Sequence, residues 1–538
     1  MKSIIQFSIL ALSLISIQLN GQQATLIADL NEGSASGGSS EENTSIIYDD
    51  KVYFSGNDGM HGFELMMYDG STVSLIADIN EGIGDSEIQN FYILGDELIF
   101  TADDGIHGME FWVSDGTTMG TELLIDLSEG DNDGVYPGFG ESSNSFELWD
   151  GYLYFNGRNR PSDNELWRTD GTPEGTTLVK NIGFDSGSFV TGSWPEDFVV
   201  YQDRLFFGSR DGFWATDGTS DGTVLVREDD PNDVFGFDPG NILATDFGIV
   251  MLQNWELWIS DGTTNGTVRV KEFENIVLNW SGPRFRDMGD YVLFPANDGI
   301  SGDELWRSDG TPEGTYLVKD MTPGSDGYAP QNTVVFNGKM YFKGSSEETG
   351  IELYETDGTE EGTQLVYEFN PGTSSGFFLP STIFTDGNRL YLSAGKPFNQ
   401  ELWISDGTAN GTYEVEISPS GESYPTNFLA FGDRVFFTAR NSDTGRENYV
   451  FDATVNTKEI TTKQINIYPN PVQNILYLKM ELPQRHQVNI IDMQGRTVLT
   501  SNNASNGMNV NRLVNGQYTI FVTDDKNVTI GSTRFVKK

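Results

Sequence analysis

Short runs of alternating apolar and polar residues fill most of the chain, and no stretch of the repeated region keeps a helical period. Residues 332–336 alternate, Asn337-Gly338 follows, and residues 339–343 alternate again. An Asn-Gly pair between two such runs predicts a β-hairpin, because the favoured two-residue turns need positive φ at their centre. A Gly- and Ser-rich loop at 344–350 leads to a third run at 351–356, and Asp357-Gly358-Thr359 turns the chain into a fourth at 364–369. Four short strands joined by tight turns predict one small antiparallel sheet.

The unit returns along the chain, marked by Glu-Leu-Trp-x-Ser/Thr-Asp-Gly-Thr-x-x-Gly-Thr. Its first positions are Glu64, Glu110, Glu165, Gly212, Glu256, Glu304, Glu352, Glu401 and Glu447, spaced 44 to 55 residues apart. A period of that size is the blade repeat of β-propellers. One small sheet cannot bury both its faces, so the nine units predict an all-β propeller of about nine four-stranded blades, each stacked on its neighbours. Residues 24–30 form a run with no unit of their own, while the ninth unit lacks a fourth run behind Phe451. The N-terminal strand is therefore expected to complete the last blade. Because propellers usually have about four to eight blades, an open or divided array is the alternative.

Alternation along a strand puts Glu165 and Trp167 on one face and Leu166 on the other. Six of the ten Trp occupy the motif position, at 112, 167, 214, 258, 306 and 403, where a flat ring suits packing between blades. Asp170 can accept from backbone two residues on, and Gly171 can supply the positive φ of the turn. The motif thus predicts a structural staple; the rival reading is a ring of equivalent ligand or Ca²⁺ sites. Met66 and Tyr354 stand in place of Trp, Gly212 in place of Glu, and Ala453 in place of the turn Gly, all of which weaken such a ring.

Residues 165–176 (ELWRTDGTPEGT) and 304–315 (ELWRSDGTPEGT) resemble the ELWxxDGT repeat family of exported bacterial proteins. The resemblance covers residue 24 to about 456; it implies a propeller and export, and it implies no activity. The turn is also similar to the Asp-box of sialidase-like propellers, but no arginine cluster stands at a matching place, so sialidase chemistry does not carry over.

Composition narrows the function. The 538 residues include 80 Asp+Glu against 32 Lys+Arg, a formal net charge of -48, 3 His and no Cys. Disulfides, thiol catalysis, zinc ribbons and a lipid-anchoring cysteine are excluded, and so negative a field opposes nucleic acid and anionic lipid surfaces. Lys2, the apolar run at 4–19 and the small Gly21 read as a signal peptide over residues 1–21. No later segment is apolar for long enough to span a bilayer, so no transmembrane span is expected in the mature chain.

The propeller is expected over 22–456 and a polar linker over 457–464. Residues 465–538 carry eight basic side chains against four acidic ones, reversing the sign of the rest. Their alternating runs predict a small β-sandwich. Its distinctive residues are Tyr468-Pro469-Asn470-Pro471, Gly495 within Met493–Gly495, Gly516 and Tyr518, and a final Arg534-Phe535-Val536-Lys537-Lys538. In that order they resemble the C-terminal sorting domain of the Bacteroidetes type IX secretion system. The resemblance implies the type IX secretion machinery as a partner, removal of the module near the linker, and a product released or fixed to surface lipopolysaccharide.

A ligand is expected on the propeller face built from the second-to-third and fourth-to-first loops, which vary in length and composition. Trp194, Trp255 and Trp280 map there, with Tyr136, Phe377, Phe378 and Tyr424 in equivalent loops. Exposed rings can stack on sugars, which makes a glycan platform; the competing reading is that they plug gaps between blades. His61 and His107 reflect reuse of one loop sequence, as two His do not define a metal site. Asp131-Asn132-Asp133-Gly134 and Asp229-Asp230 are candidate Ca²⁺ loops or solvated turns, neither continuing to the spaced Glu of an EF-hand. No catalytic constellation stands out, and no other cofactor is called for. The expected function is a secreted or cell-surface module binding an extracellular glycan. Alternatives are a polysaccharide hydrolase or lyase, and a structural surface protein that binds another surface protein.

Overall fold

The computed structural model describes residues 24–538 apart from short stretches, the longest at 137–144, 229–239, 275–284, 453–462 and 480–485. The segment read as a signal peptide lies outside the described residues.

Among the described residues nine four-stranded antiparallel sheets follow one another, the first built from Ser45–Tyr48, Lys51–Asn57, Phe63–Tyr68 and Val73–Ala77. The ninth takes three strands from Thr426–Phe431, Arg434–Asn441 and Gly445–Asp452, and its fourth from the N-terminal Ala24–Leu26. Ala24, Thr25 and Leu26 pair there with Phe451, Val450 and Tyr449. The orphan run found in the sequence thus completes the last blade.

Alternation in the third strand decides how the blades stack. Leu166 of blade 3 packs into blade 4, against Phe198, Leu205 and Phe207, whereas Trp167 turns back into blade 2, against Ile99 and Phe111. The same division holds at Leu257 and Trp258 of blade 5, and at Leu305 and Trp306 of blade 6. Each strand therefore supplies core to two interfaces. The ring closes because Leu429, Phe431 and Phe436 of blade 9 share a cluster with Ile47, Val52 and Phe54 of blade 1. A closed ring protects the sheet edges that an open array would leave bare.

The motif turns are stapled as the sequence predicts. Asp170 Oδ1 accepts from Thr172 N at 3.0 Å and from its hydroxyl at 2.7 Å, and Thr172 Oγ1 in turn accepts from Gly175 N at 3.0 Å. A Cβ on Gly175 would lie 1.8 Å from Asp170 Oδ1, which explains the second motif glycine. The same bonds recur at Asp217, Asp261, Asp309, Asp357 and Asp406.

Sequence reasoning assigned the motif Glu no role, and the structure gives it one. Glu64, Glu110, Glu165, Glu304, Glu352, Glu401 and Glu447 are each at most 2% exposed. Each carboxylate accepts backbone N–H groups from the segment that leaves the fourth strand: Glu165 from Ile182 and Gly183 at 2.8 Å each, Glu352 from Phe369 at 2.8 Å. In blade 9 the donors are Leu30 and Gly37, so the same device holds the N-terminal segment.

The C-terminal module packs a five-stranded sheet against a three-stranded one. Val488, Ile520, Val522 and Phe535 from the first meet Ile465, Val472 and Leu476 in one core.

Candidate functional site

In each blade the start of the first strand pairs with the end of the second, as Glu196 does with Gly208 and Gly240 with Leu252. The loops between blades and the second-to-third loops therefore share a face, and the stapled motif turns lie on the other. This variable face holds the aromatic candidates.

Tyr136 and Trp194, from the loops before blades 3 and 4, come together there. Their rings meet edge to face, with centroids 5.0 Å apart and planes at 86°. The Arg210 guanidinium lies 4.9 Å over the Trp194 ring, an arrangement in which a cation meets the negative face of the π system. Trp194 adopts φ +55°, and its N–H donates to Asn164 O at 3.1 Å. Burial, and then the charge of Glu196, push the Tyr136 hydroxyl up to about 12, against the opposing pull of Arg158.

Trp194, Phe377 and Tyr424 occupy one register position, since each donates its N–H to the carbonyl of the residue before a motif Glu or its equivalent: Asn164, Ile351 and Gln400. Trp194 and Tyr424 have left-handed backbones, and their rings are half-buried. Phe377 does not. It is 2% exposed and packs on Phe369, 5.2 Å away at 76°, so it belongs to the core between blades 7 and 8 and not to a ligand platform. Phe378, one residue on, is the more accessible of the pair.

Trp255 is 51% exposed on the second-to-third hairpin of blade 5. Phe398, which sequence reasoning passed over, is 79% exposed at the matching hairpin tip of blade 8, between Leu390–Lys396 and Asn399–Ser405. Its one signal is an aromatic residue in a turn where polar residues are the rule. Trp280 and Asp229-Asp230 lie outside the described residues. Tyr136 and Trp194 thus form one cluster, while Trp255, Phe398 and Tyr424 stand on other blades.

The His loops are locally satisfied: His61 Nδ1 meets Asp58 Oδ2 at 2.8 Å, and His107 Nδ1 meets Asp104 Oδ2 at 2.7 Å. Asp133, from the first candidate Ca²⁺ loop, accepts from Met109 N at 3.1 Å and pairs with Arg158 at 3.2 Å. Among the described residues no group of three or more His, Asp or Glu is arranged to hold a metal ion. Burial pushes the Glu64, Glu352 and Glu447 carboxyls up to about 7 and Glu110 up to about 8. Values in that range often mark general acids. These four, however, are sealed between strands and aimed at backbone N–H groups, so the shift belongs to the fold.

In the C-terminal module, Pro469, Pro471, Ile475, Tyr477 and Lys538 line one groove. Both ends of the module meet there: Asn470 Oδ1 accepts from Val536 N at 2.9 Å, and Lys538 N donates to Val472 O at 2.8 Å. Tyr518 stacks on Phe535 at 5.5 Å, and its hydroxyl donates to Val514 O. Gly516 pairs with Lys537, which is 8% exposed. Gly495 lies outside the described residues.

Residues 466–538 match the family model of the secretion system C-terminal sorting domain. The chain carries a type IX export signal. Such a signal directs a protein to the cell surface or the extracellular space, and no helix among the described residues is long and apolar enough to cross a membrane. Among curated proteins, none matches this chain. Solved structures that this chain matches include PorZ, a surface component of the type IX secretion system of Porphyromonas gingivalis, at 13% identity and TM-score 0.30, covering 91% of this chain and 74% of that one. The extracellular domain of a one-component system from B. thetaiotaomicron is 11% identical at TM-score 0.30, covering 92% and 73%. A puromycin-hydrolyzing peptidase of Mycobacterium tuberculosis is 13% identical at TM-score 0.37, covering 73% of this chain and 57% of the peptidase.

Proposed function

We propose that the exported propeller is a binding module, and that its variable face takes a glycan. The observation that supports this most is the Tyr136–Trp194 pair with Arg210 stacked on it. A half-buried pair of rings backed by a guanidinium combines apolar ring surface with hydrogen-bond donors, which suits a pyranose ring with its C–H groups and its hydroxyls. The exposed Trp255 and Phe398 on the same side add isolated stacking points, and several weak contacts to one polymer reinforce each other. Export to the cell surface or the extracellular space is compatible with a ligand of this kind. The sequence motifs that resemble the ELWxxDGT family are used up in holding the blades together, which leaves recognition to the loops.

The test is binding of the full-length chain to a polysaccharide panel, with assay of released reducing ends in the same samples. Binding without release, reduced at least tenfold by Trp194→Ala, is the expected result. Release of reducing ends would make the protein an enzyme, and a panel without binders would turn the search to protein partners.

A further inference from the structure

On the hairpin joining the second and third strands of blade 9, Arg440 and Arg446 are direct cross-strand partners. Like charges opposite each other across an antiparallel pair destabilise it, and this chain has acidic residues in large excess with which to avoid that. No ion pair joins either guanidinium to a carboxylate among the described residues. Arg446 is half-buried, and among the described residues its guanidinium donates to neutral oxygens, Tyr424 O at 3.3 Å and Thr426 Oγ1 at 3.1 Å. Burial and the nearness of Arg440 hold it below the usual guanidinium range. Arg440 is exposed, with its backbone N–H anchored on Ser423 O at 2.6 Å. Two like charges thus face each other across one strand pair, on the variable face, where Arg446 reaches the backbone carbonyl of the half-buried Tyr424.

We propose that Arg440, Arg446 and Tyr424 form a recognition point for an acidic sugar residue carried on a glycan. This deepens the glycan reading above and rests on it. Two guanidinium edges can take the two oxygens of a carboxylate, and the anion relieves the repulsion between them. Tyr424 supplies a ring for the sugar that bears the carboxylate. A ligand of low charge density fits better than a polyanion, because the net charge of the chain repels the latter.

The experiment uses the full-length chain and three probes: an oligosaccharide carrying one glucuronic acid, its carboxyl-reduced neutral counterpart, and a glutamate peptide. The acidic oligosaccharide is expected to bind more tightly than the neutral one. Arg440→Gln should weaken only the acidic probe, about tenfold, as loss of one charge-assisted contact implies. Tyr424→Ala should weaken both saccharides alike. Thermal unfolding of Arg440→Gln should match or exceed that of the parent, since a like-charge pair has been relieved, and this separates a lost contact from a lost fold. Equal binding of acidic and neutral probes, unaffected by Arg440→Gln, would overturn the acidic-sugar site while leaving the glycan reading intact. Equal binding of the peptide would overturn the sugar component. Binding of neither saccharide would overturn both.

Discussion

The N–H of Leu30 donates to Glu447 Oε2 at 3.3 Å across 417 residues of sequence. Gly37 donates to the other oxygen of the same carboxylate at 2.9 Å. One side chain therefore anchors the segment that follows the N-terminal strand, and that strand closes the ring. Removing it leaves the part-buried Leu30 N–H short of its acceptor, at about 1–3 kcal/mol, and leaves the Gly37 N–H with Arg446 O at 3.0 Å alone. Glu447→Ala should lower the unfolding temperature more than Glu256→Ala does. Glu256 stands at the same motif position but pairs with Arg269 near the surface, with its side chain 18% exposed. Equal effects in calorimetry would refute the latch.

The buried carboxyls set the direction of a pH dependence. Glu64, Glu352 and Glu447 are raised from 4.5 to about 7 and Glu110 to about 8, with burial the first cause in each. A folded-state value above the unfolded one means that the native state holds more protons between the two, so stability falls as pH rises. The window runs from about 4.5 up to the folded values of 7 to 8. Denaturant midpoints should be higher at pH 5 than at pH 8, and Glu110→Gln should flatten the slope. A slope abolished by salt and untouched by Glu110→Gln would assign it to overall charge repulsion instead.

Trp306 and Trp255 predict opposite outcomes. Trp306 is 5% exposed and meets Phe273 at 5.0 Å, whereas Trp255 is 51% exposed. Replacing the first by Ala should cost about 3–5 kcal/mol of stability, and replacing the second under about 0.5 kcal/mol. Urea titrations of both variants check this, and a large loss for Trp255→Ala would put that ring in the core.

The stapled turns predict a ranking of their own. Asp170→Ala removes acceptors for one N–H and one hydroxyl and should cost about 1–2 kcal/mol. Gly175→Ala keeps the Asp but places a methyl within 1.8 Å of its Oδ1, so the turn must open. Its unfolding temperature should drop by at least as much; a neutral Gly175→Ala would show that the turn adapts at no cost.

Export depends on a module whose last strand holds it together. Thr529–Lys537 pairs along Gly516–Asp524, and Phe535 fills the core against Tyr518. Deleting residues 535–538 removes that ring and the bonds to Val472, and should leave the protein in the periplasm. Immunoblots of cell fractions read the outcome, and undiminished surface or extracellular protein would show that the terminal strand is dispensable for sorting.

The blade repeat, the strand order within it, the turn staples and the supply of the last strand from the N-terminus were all legible in the sequence. Each rests on alternation or on contacts within a few residues, and nine copies average out the departures. The motif Glu was visible but unexplained, because its donors lie 15 to 18 residues away in most blades and at the far end of the chain in the ninth. Aromatic residues in the loops were visible too, yet their fate was not. Phe377 and Trp194 share a register position, and backbone handedness separates the buried ring from the half-exposed one. That handedness, the meeting of Tyr136 with Trp194 and the Arg440–Arg446 pairing depend on how loops and strands settle against one another. Periodicity alone determined the scaffold, because it is a local property of the chain; the tertiary structure decided what the variable face presents, because exposure is a property of neighbours.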